Sequence, residues 1–326
     1  MTDQADDKPS WIGQSMRRVE DPKFLLGRGG YIDDIELPRM LHVAVLPSPH
    51  AHARIVSIDV SAASAMAGVE RIIDGREAAE LCAPLPDLGP YPAKHVWRAV
   101  AEEKVRYVGE IVAVVVASSR AIAEDACAAI VVDYEVLPAV VSVTAALERD
   151  APLVHEALES NGAFSRQLSW GECDEVFARA DHVVSDQLRW HRSGAQPLET
   201  VGAIAQFDSA SGRMRIQTNS LTFSNFLFLL AGTLKLDANK RHIVPAPAGG
   251  SFGSKTWAVK VGAIAAMAAK VCARPVKFIE DRQNNIANCD HHGSDRTYDA
   301  ALALNNDGRL LGLRIKVLDD YGAYLQ

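Results

Sequence analysis

The segment GGSFGSKT, residues 249–256, lies between an apolar run that ends at Val244 and a longer one that extends to Val271. The first run predicts a short strand. The second is rich in alanine, has helical spacing and is stopped by Pro275, so it predicts a helix from about Thr256 to Val271. Paired glycines let a backbone approach a ligand closely, and free N–H groups at a helix start favour an anion or an electron-rich oxygen. The segment therefore predicts a strand–loop–helix unit with a candidate binding loop.

Strand and helix patterns alternate on both sides of this loop, which predicts an α/β (α+β) fold. We expect helices at Ser119–Ala128 and Thr222–Leu234, the second with Ser220 or Thr222 as its cap. The strands are expected at Leu41–Leu46, Ile55–Val60, Arg71–Ile73, Glu110–Val116, Ile130–Tyr134, His182–Trp190, Ala203–Asp208, Arg213–Gln217, Val276–Ile279, Tyr298–Leu304 and Leu310–Val317. Asn305–Gly308 between the last two is typical of a hairpin turn.

Breaks in these patterns divide the chain. Residues 1–15 are polar and predict a flexible tail, 16–143 a mixed α/β domain, 144–164 a linker, and 165–326 a second region. The apolar pattern of the second region continues to Gln326, so we expect the chain to be part of a larger structure. On that basis the last strand and the apolar face of the 256–271 helix should lack partners.

Bulk composition excludes several classes of protein. The 326 residues carry a formal net charge of −7 without a basic tract, which argues against nucleic acid as the main partner. Five scattered cysteines without a CxxC pair indicate neither a zinc site nor an iron–sulfur cluster. The N-terminus lacks the apolar core of a secretory signal and no apolar run is long enough for a membrane span, so we expect a cytoplasmic protein.

Two interpretations of the loop follow from its residues alone. Its spacing nearly fits the phosphate loop GxxxxGK[ST], but Ser254 stands where that motif requires glycine. Alternatively the loop is a structural tight turn, since glycine pairs are frequent in turns.

A third interpretation is a resemblance. GGSFGSK resembles the GGxFGxK element of molybdenum hydroxylase large subunits, the family of xanthine dehydrogenase, aldehyde oxidase and aerobic carbon monoxide dehydrogenase. Further strings similar to that family occur in the expected order: Gly27–Asp34 (GRGGYIDD), Ser48–Ile55 (SPHAHARI), Val105–Glu110 (VRYVGE), Pro197–Gly202 (PLETVG), Gly308–Leu310 (GRL) and Asp320–Tyr324 (DYGAY). The resemblance extends from about residue 17 to the end. It implies an N-terminal "hammerhead"-like domain followed by the beginning of a molybdopterin-binding domain.

The resemblance also implies site residues. The cofactor-binding residues would be Asn219, Gly249, Gly250, Ser251, Phe252, Gly253 and Ser254, and the substrate pocket would include Phe252 and Thr256. Asn219 stands where the family commonly has glutamine, so its amide is one methylene short of the metal's oxygen ligand; alternatively it is a strand-end turn residue. Thr256 stands where purine-oxidising members have a glutamate, which argues against a purine substrate; alternatively it caps the helix. No side chain of this chain is expected to ligate a metal.

The implied activity is hydroxylation of a C–H bond, or oxidation of an aldehyde or a CO-like substrate, with water as the oxygen source. The implied cofactor is molybdenum–molybdopterin, in its cytosine dinucleotide form. Iron–sulfur clusters and FAD would lie on partner subunits. No catalytic residue is expected in this chain, because the family's catalytic glutamate lies further along, in the remaining large-subunit portion. The alternatives are a non-catalytic fragment that contacts partner subunits and a nucleotide-binding protein that uses the GGSFGSKT loop.

Overall fold

A computed structural model of the protein describes residues 11–86, 95–256, 258–287 and 292–324. The strands are β1 (Leu41–Pro47), β2 (Ala53–Asp59), β3 (Val69–Asp74), β4 (Lys104–Val105), β5 (Ile111–Ala117), β6 (Val131–Val136), β7 (His182–Trp190), β8 (Ser193–Gly194), β9 (Gly202–Asp208), β10 (Arg213–Thr218), β11 (Arg241–Pro245), β12 (Val276–Ile279), β13 (His292–Gly293), β14 (Asp295–Leu304) and β15 (Leu310–Asp320). The helices are α1 (Asp21–Leu25), α2 (Ser61–Ser64), α3 (Gly75–Leu81), α4 (Arg120–Ala128), α5 (Val143–Ala146), α6 (Cys173–Arg179), α7 (Phe223–Leu234), α8 (Val259–Cys272) and α9 (Arg282–Ala287), with 3₁₀ turns at Ile32–Asp34 and Ala238–Lys240. The predicted α/β class is confirmed.

A seven-stranded mixed sheet runs through the molecule in the order β11-β10-β9-β12-β1-β5-β3. Its two halves meet where β1 pairs in parallel with β12, with Leu41 opposite Val276. Strands from the predicted segments 16–143 and 165–326 therefore share one hydrogen-bonded sheet. The predicted linker lies between the two segments in the sequence, but the strands on either side of it belong to the same sheet.

The centre of this sheet is buried on both faces, and β5 is buried along its whole length. Val114 and Val116 belong to the core cluster that contains α7 and α8, whereas Val115 and Ala117 pack with α4 on the opposite face. Side chains alternate between the faces of a strand, so a strand between two helical layers must be apolar at every position. The run IVAVVVA satisfies that requirement.

Helix α8 lies under the half of the sheet that carries the glycine loop, and its residues Val259–Ala269 are buried. The expectation that this helix would have an unpartnered apolar face was wrong, because α7 covers the side turned away from the sheet. The two helices approach closely where the ring of Phe226 lies over Gly262; a β-carbon at Gly262 would be 2.5 Å from the Phe226 Cζ atom.

Two predicted helix starts need correction. Helix α8 begins at Val259 rather than Thr256, and Ala258 occupies its N-cap position. The carbonyl groups of Lys255 and Thr256 accept hydrogen bonds from Ser220, Leu221 and Thr222 instead, so these two residues belong to the loop. Thr222 occupies the N-cap position of α7, but its side chain makes no cap hydrogen bond. Its hydroxyl donates instead to the Thr256 carbonyl oxygen at 2.5 Å.

Smaller sheets flank the central one. After β1 the chain crosses to the sheet β4-β2-β6, so the predicted strands at 41–46 and 55–60 do not pair with each other. The third sheet, β15-β14-β7, has β15 at an edge and carries the predicted hairpin. One of its faces is apolar and exposed: Val184, Leu188, Trp190, Leu313, Ile315 and Val317 are each 46–64% accessible. Residues 1–10 of the predicted tail lie outside the described residues, and β15 ends at Asp320, six residues before Gln326.

Buried polar contacts attach the C-terminal segment to the N-terminal half. The Tyr324 hydroxyl donates to Glu110 Oε1 at 2.6 Å, and the amide of Arg106 donates to Glu110 Oε2 at 2.6 Å. The Nε2 atom of His155 lies 2.6 Å from the Ala323 carbonyl oxygen. Burial lowers the pKa of His155 from 6.5 to about 4, and the hydrogen bond to Ala323 opposes only part of that effect.

The contact between α7 and α8 predicts opposite effects for two glycines. Gly262→Ala should destabilise the protein by about 1–3 kcal/mol, because the added methyl group overlaps the Phe226 ring. Gly232→Ala, on α7, meets no atom within 4 Å and should be neutral or stabilise by up to about 1 kcal/mol through helix propensity. Urea unfolding of the two variants measures both effects. Equal effects of the two substitutions would contradict this packing.

His155 predicts a loss of stability in acid. The unfolded chain takes up a proton on this imidazole below pH 6.5, whereas the folded chain does not do so until about pH 4, so stability falls as the pH drops through that interval. His155→Gln should reduce the difference in unfolding free energy between pH 7 and pH 4.5 by about 2–3 kcal/mol. An unchanged difference in unfolding free energy between the two pH values in His155→Gln would contradict this prediction.

Candidate functional site

The segment 249–256 forms an irregular loop between β11 and α8, and three of its residues have left-handed backbone. Gly250, Phe252 and Gly253 have φ values of 91°, 51° and 101°. Glycine adopts this conformation at little cost, whereas a phenylalanine there is strained by about 1–2 kcal/mol. The same residue is also unusually placed for a phenylalanine, because its side chain is 80% exposed.

The second half of the loop is anchored from the strand–helix junction between β10 and α7. The Ser220 hydroxyl and the Leu221 amide both donate to the Lys255 carbonyl oxygen, at 2.9 and 3.2 Å. The Thr222 hydroxyl donates to the Thr256 carbonyl oxygen. These bonds fix the carbonyl groups of the loop while its tip remains exposed.

A buried ion pair anchors the first half. Lys255 is completely buried, and its Nζ atom lies 2.7 Å from Glu199 Oε2. The same oxygen accepts a hydrogen bond from the amide of Gly249 at 2.6 Å. Burial lowers the pKa of the Lys255 ammonium, and the Glu199 carboxylate opposes that shift. One carboxylate oxygen therefore joins the beginning of the loop to its end.

The tip of the loop presents unused donors. Within the described part of the chain, the backbone N–H groups of residues 250–253 make no hydrogen bond. The Oε1 atom of Glu199, an acceptor, is buried and has no hydrogen-bond partner among the described residues. A β-carbon at Gly253 would meet no atom within 4 Å, so the space beside this residue is open. Consecutive free N–H groups in a glycine-rich loop can bind an anion or the oxygen atoms of a cofactor.

The side chain of Asn219 forms its hydrogen bonds with backbone groups. It is fully buried just after β10, its Oδ1 accepts from the Gly202 amide at 3.0 Å, and its Nδ2 donates to the Thr200 carbonyl oxygen at 2.8 Å. Both ends of the side-chain amide are therefore engaged, which favours the structural interpretation of this residue. The bonds also hold the segment that carries Glu199.

The other predicted residues occupy the loop itself. Ser251 and Ser254 are buried, and they form its internal turn through the Ser254 amide and hydroxyl, which both donate to the Ser251 carbonyl oxygen. Thr256 is not a helix cap, since Ala258 occupies that position. Sequence reasoning assigned no role to Glu199 or Lys255. Both lie in the family-like strings, but only the fold brings together two residues 56 positions apart.

Among the described residues, no group of three or more histidine, cysteine, aspartate or glutamate side chains could hold a metal ion. In the same part of the chain, no helix is both long and apolar enough to cross a membrane.

The strand–loop–helix unit has free backbone donors, and this arrangement is typical of proteins that bind a cofactor. Comparison with known proteins gives the family. Residues 154–326, more than half of the chain, match the molybdopterin cofactor-binding domain. Residues 26–138 match the a/b hammerhead domain of aldehyde oxidase and xanthine dehydrogenase. The chain belongs to this family of molybdopterin-binding oxidoreductase subunits, as the motifs predicted.

The similar proteins are large subunits of such enzymes. The chain is 36% identical over 319 residues to the carbon monoxide dehydrogenase large chain of Hydrogenophaga pseudoflava, covering 94% of this chain and 39% of that protein. It is 33% identical over 317 residues to the nicotine 6-hydroxylase large subunit of Paenarthrobacter nicotinovorans, covering 96% and 38%. The crystal structure of quinoline 2-oxidoreductase from Pseudomonas putida 86 superposes with a TM-score of 0.86 at 38% identity, covering 95% and 39%. The chain thus spans about two fifths of the length of these relatives.

The ion pair predicts a strong effect of a nearly isosteric change. Glu199→Gln leaves the Lys255 ammonium buried without its counter-charge and should destabilise the protein by about 3 kcal/mol. Adding Lys255→Met should recover much of that loss, because the buried charge is removed. Chemical unfolding of both variants tests this, with Glu135→Gln as control; its pair with Arg54 is about half exposed and should contribute less than about 1 kcal/mol. A double variant less stable than Glu199→Gln would show that the pair is not the anchor.

Proposed function

We propose that this chain contributes the loop 249–254 to the active site of a molybdopterin-dependent oxidoreductase of the xanthine dehydrogenase family. The observation that carries the proposal is the row of N–H groups at residues 250–253, which have no hydrogen-bond partner in the part of the chain that the structure describes. The Glu199–Lys255 pair anchors the loop that carries them, and Phe252 is exposed on that loop. A loop that only turned the chain would need neither a strained, exposed phenylalanine nor a buried ion pair.

The residues present fit such a cofactor. The amides of Gly250, Ser251, Phe252 and Gly253 would donate to its oxygen atoms, and the open space at Gly253 would admit it. Asn219 would support the cofactor site by holding Gly202 and Thr200, to which its side-chain amide bonds. We propose the cytosine dinucleotide form, the form implied by the family resemblance.

When bound, the molybdenum–pterin group would supply two-electron oxidation with oxygen taken from water. This chain would orient the cofactor and the substrate and would exclude water from the site. Backbone donors that are already in position stabilise developing negative charge without rearrangement. The Phe252 ring would form one wall of the substrate pocket and Thr256 would lie at its base. Because Thr256 offers a hydroxyl rather than a carboxylate, a substrate oxidised at a C–H bond, an aldehyde or a CO-like molecule fits better than a purine.

The complete enzyme would need further polypeptide. We propose the remaining large-subunit portion, an iron–sulfur subunit and a flavin subunit as partners, in a cytoplasmic hetero-oligomer. The exposed apolar face of β15-β14-β7 is a surface that such polypeptide could cover. The catalytic glutamate implied by the resemblance would lie in the remaining large-subunit portion.

A nucleotide-binding function of the loop is not favoured. A phosphate loop needs a lysine that reaches the phosphates, whereas Lys255 is buried and paired with Glu199. The helix also starts three residues beyond Thr256, which separates its N-terminus from the loop tip. A purely subunit-contacting role accounts for the exposed sheet face, but not for the donors at residues 250–253.

The proposal predicts that Phe252→Ala impairs turnover without impairing folding. In the assembled enzyme the substitution should lower kcat/KM on the order of a hundredfold, because substrate positioning is lost. Its effect on stability should stay within about 0.5 kcal/mol, since the side chain is 80% exposed and packs into no core. Turnover, molybdenum content and melting temperature of the variant complex are measured together.

Phe228→Ala is the matched control for that experiment. Phe228 is 78% exposed on α7, away from the loop, and its removal should change neither turnover nor molybdenum content. Equal turnover of the two variants would reject the placement of the substrate pocket at Phe252.

A further inference from the structure

A basic cleft lies at the other end of β10 and β11 from the glycine loop. It encloses about 690 Å³ and is lined by the starts and ends of β9, β10, β11 and β12. The loop follows the last residue of β11, whereas the cleft surrounds its first residue, Arg241, so the length of the strand, about 13 Å, separates the two sites. Nothing in the proposed oxidoreductase site uses this cleft.

The cleft concentrates positive charge on an acidic protein. Its lining includes five lysine and arginine residues, Arg213, Arg215, Lys240, Arg241 and Arg274, and one acidic residue, Asp208. Five positive charges less one negative charge give a formal local charge of +4, on a chain whose net charge is −7. Like charges held together repel one another, so such a group is stabilised by a bound anion.

Most of these cations are not neutralised within the described part of the chain. Arg215 donates to the neutral Gln206 side chain, and Lys240 donates to the Ser211 carbonyl oxygen. Arg241 donates to the carbonyl oxygens of Asp237 and Leu227. These contacts fix the side chains through neutral acceptors and leave further N–H donors on each cation.

Two charged residues of the lining, Arg274 and Asp208, already have side-chain partners. Arg274 forms an ion pair with Glu70 at 2.8 Å, outside the cleft. Asp208 lies directly opposite Arg213 and is attracted by its charge, and its carboxylate also accepts from the Ser211 hydroxyl and the Ala210 amide. Arg213 is exposed, and no hydrogen bond or ion pair of its side chain is present among the described residues. Arg241 is opposite Met214 in the parallel pair of β10 and β11, and it turns towards α7, where it donates to the Leu227 carbonyl oxygen. The donors available to a ligand on the other face of the sheet therefore come from Arg213, Arg215 and Lys240.

The arrangement of these donors suits phosphate. Arg213 and Arg215 lie two residues apart on one face of β10, and Arg215 is directly opposite His242 on β11. Guanidinium groups bind phosphate through paired, charge-assisted hydrogen bonds. Pro275 adds an apolar side chain to the lining, and the volume falls within the usual range for small-ligand sites. We propose that this cleft binds a small phosphorylated anion, with the phosphate groups between Arg213, Arg215 and Lys240.

The proposal is tested by calorimetric titration of the 326-residue chain, or the complex in which it is purified, with inorganic pyrophosphate and with ATP. Saturable binding is expected, and Arg213→Gln/Arg215→Gln should raise the Kd about tenfold or more. Arg213→Lys/Arg215→Lys, which keeps the charge, should lose less. The matched control is Arg149→Gln/Arg166→Gln, which removes two exposed charges outside the cleft and should leave the Kd unchanged. If the cleft variant does not fold, Arg213→Gln alone replaces it.

Each outcome decides the question. Tighter binding of ATP than of pyrophosphate supports an organic phosphate as the ligand, and equal affinities support an inorganic phosphate. No binding, or equal weakening by the cleft and control variants, overturns the proposal. It is also overturned if only an acidic peptide, such as polyglutamate, binds in a cleft-dependent way. Because binding here needs no molybdopterin, failure of this proposal leaves the oxidoreductase assignment untouched, and the reverse also holds.

Discussion

The contact on which the candidate site depends is a single carboxylate oxygen. Glu199 Oε2 accepts from the Gly249 amide and from the Lys255 ammonium, and so closes a seven-residue loop across its base. A lysine without exposure to water must have such a partner, because the cost of an unpaired buried charge is several kcal/mol. The pair leaves the backbone between Gly249 and Lys255 free to adopt left-handed conformations that the chain would otherwise avoid.

The surrounding sheet makes that contact possible. Glu199 precedes β9 and Lys255 follows β11, and these strands are placed side by side through β10. Asn219 fixes the segment before β9 through Gly202 and Thr200, while α8 supports the sheet from beneath. The close approach of α7 to α8 at Gly262 completes this support. The strand order, the buried Asn219 amide and the contact between α7 and α8 therefore all help to hold this loop in place.

The same sheet separates two kinds of chemistry. At the glycine loop the donors are uncharged amides beside an exposed aromatic ring, an environment suited to the oxygen atoms of a cofactor. At the opposite end of β10 and β11 the donors are cationic side chains around a cleft of about 690 Å³. Strands β10 and β11 are parallel and both begin at this end, so Arg215 lies directly opposite His242 although the two residues are far apart in the chain.

Much of the fold was determined by the sequence. Period-two and period-three-to-four patterns located the long strands and both long helices, because local burial alone produces those patterns. The motif GGSFGSK and its companions identified the family. Tertiary structure decided the rest: that strands of both predicted domains share one sheet through β1 and β12, that α8 begins at Val259, and that Lys255 pairs with Glu199. These features depend on contacts between residues distant in the chain, and a local sequence pattern carries no information about which distant residue becomes a neighbour.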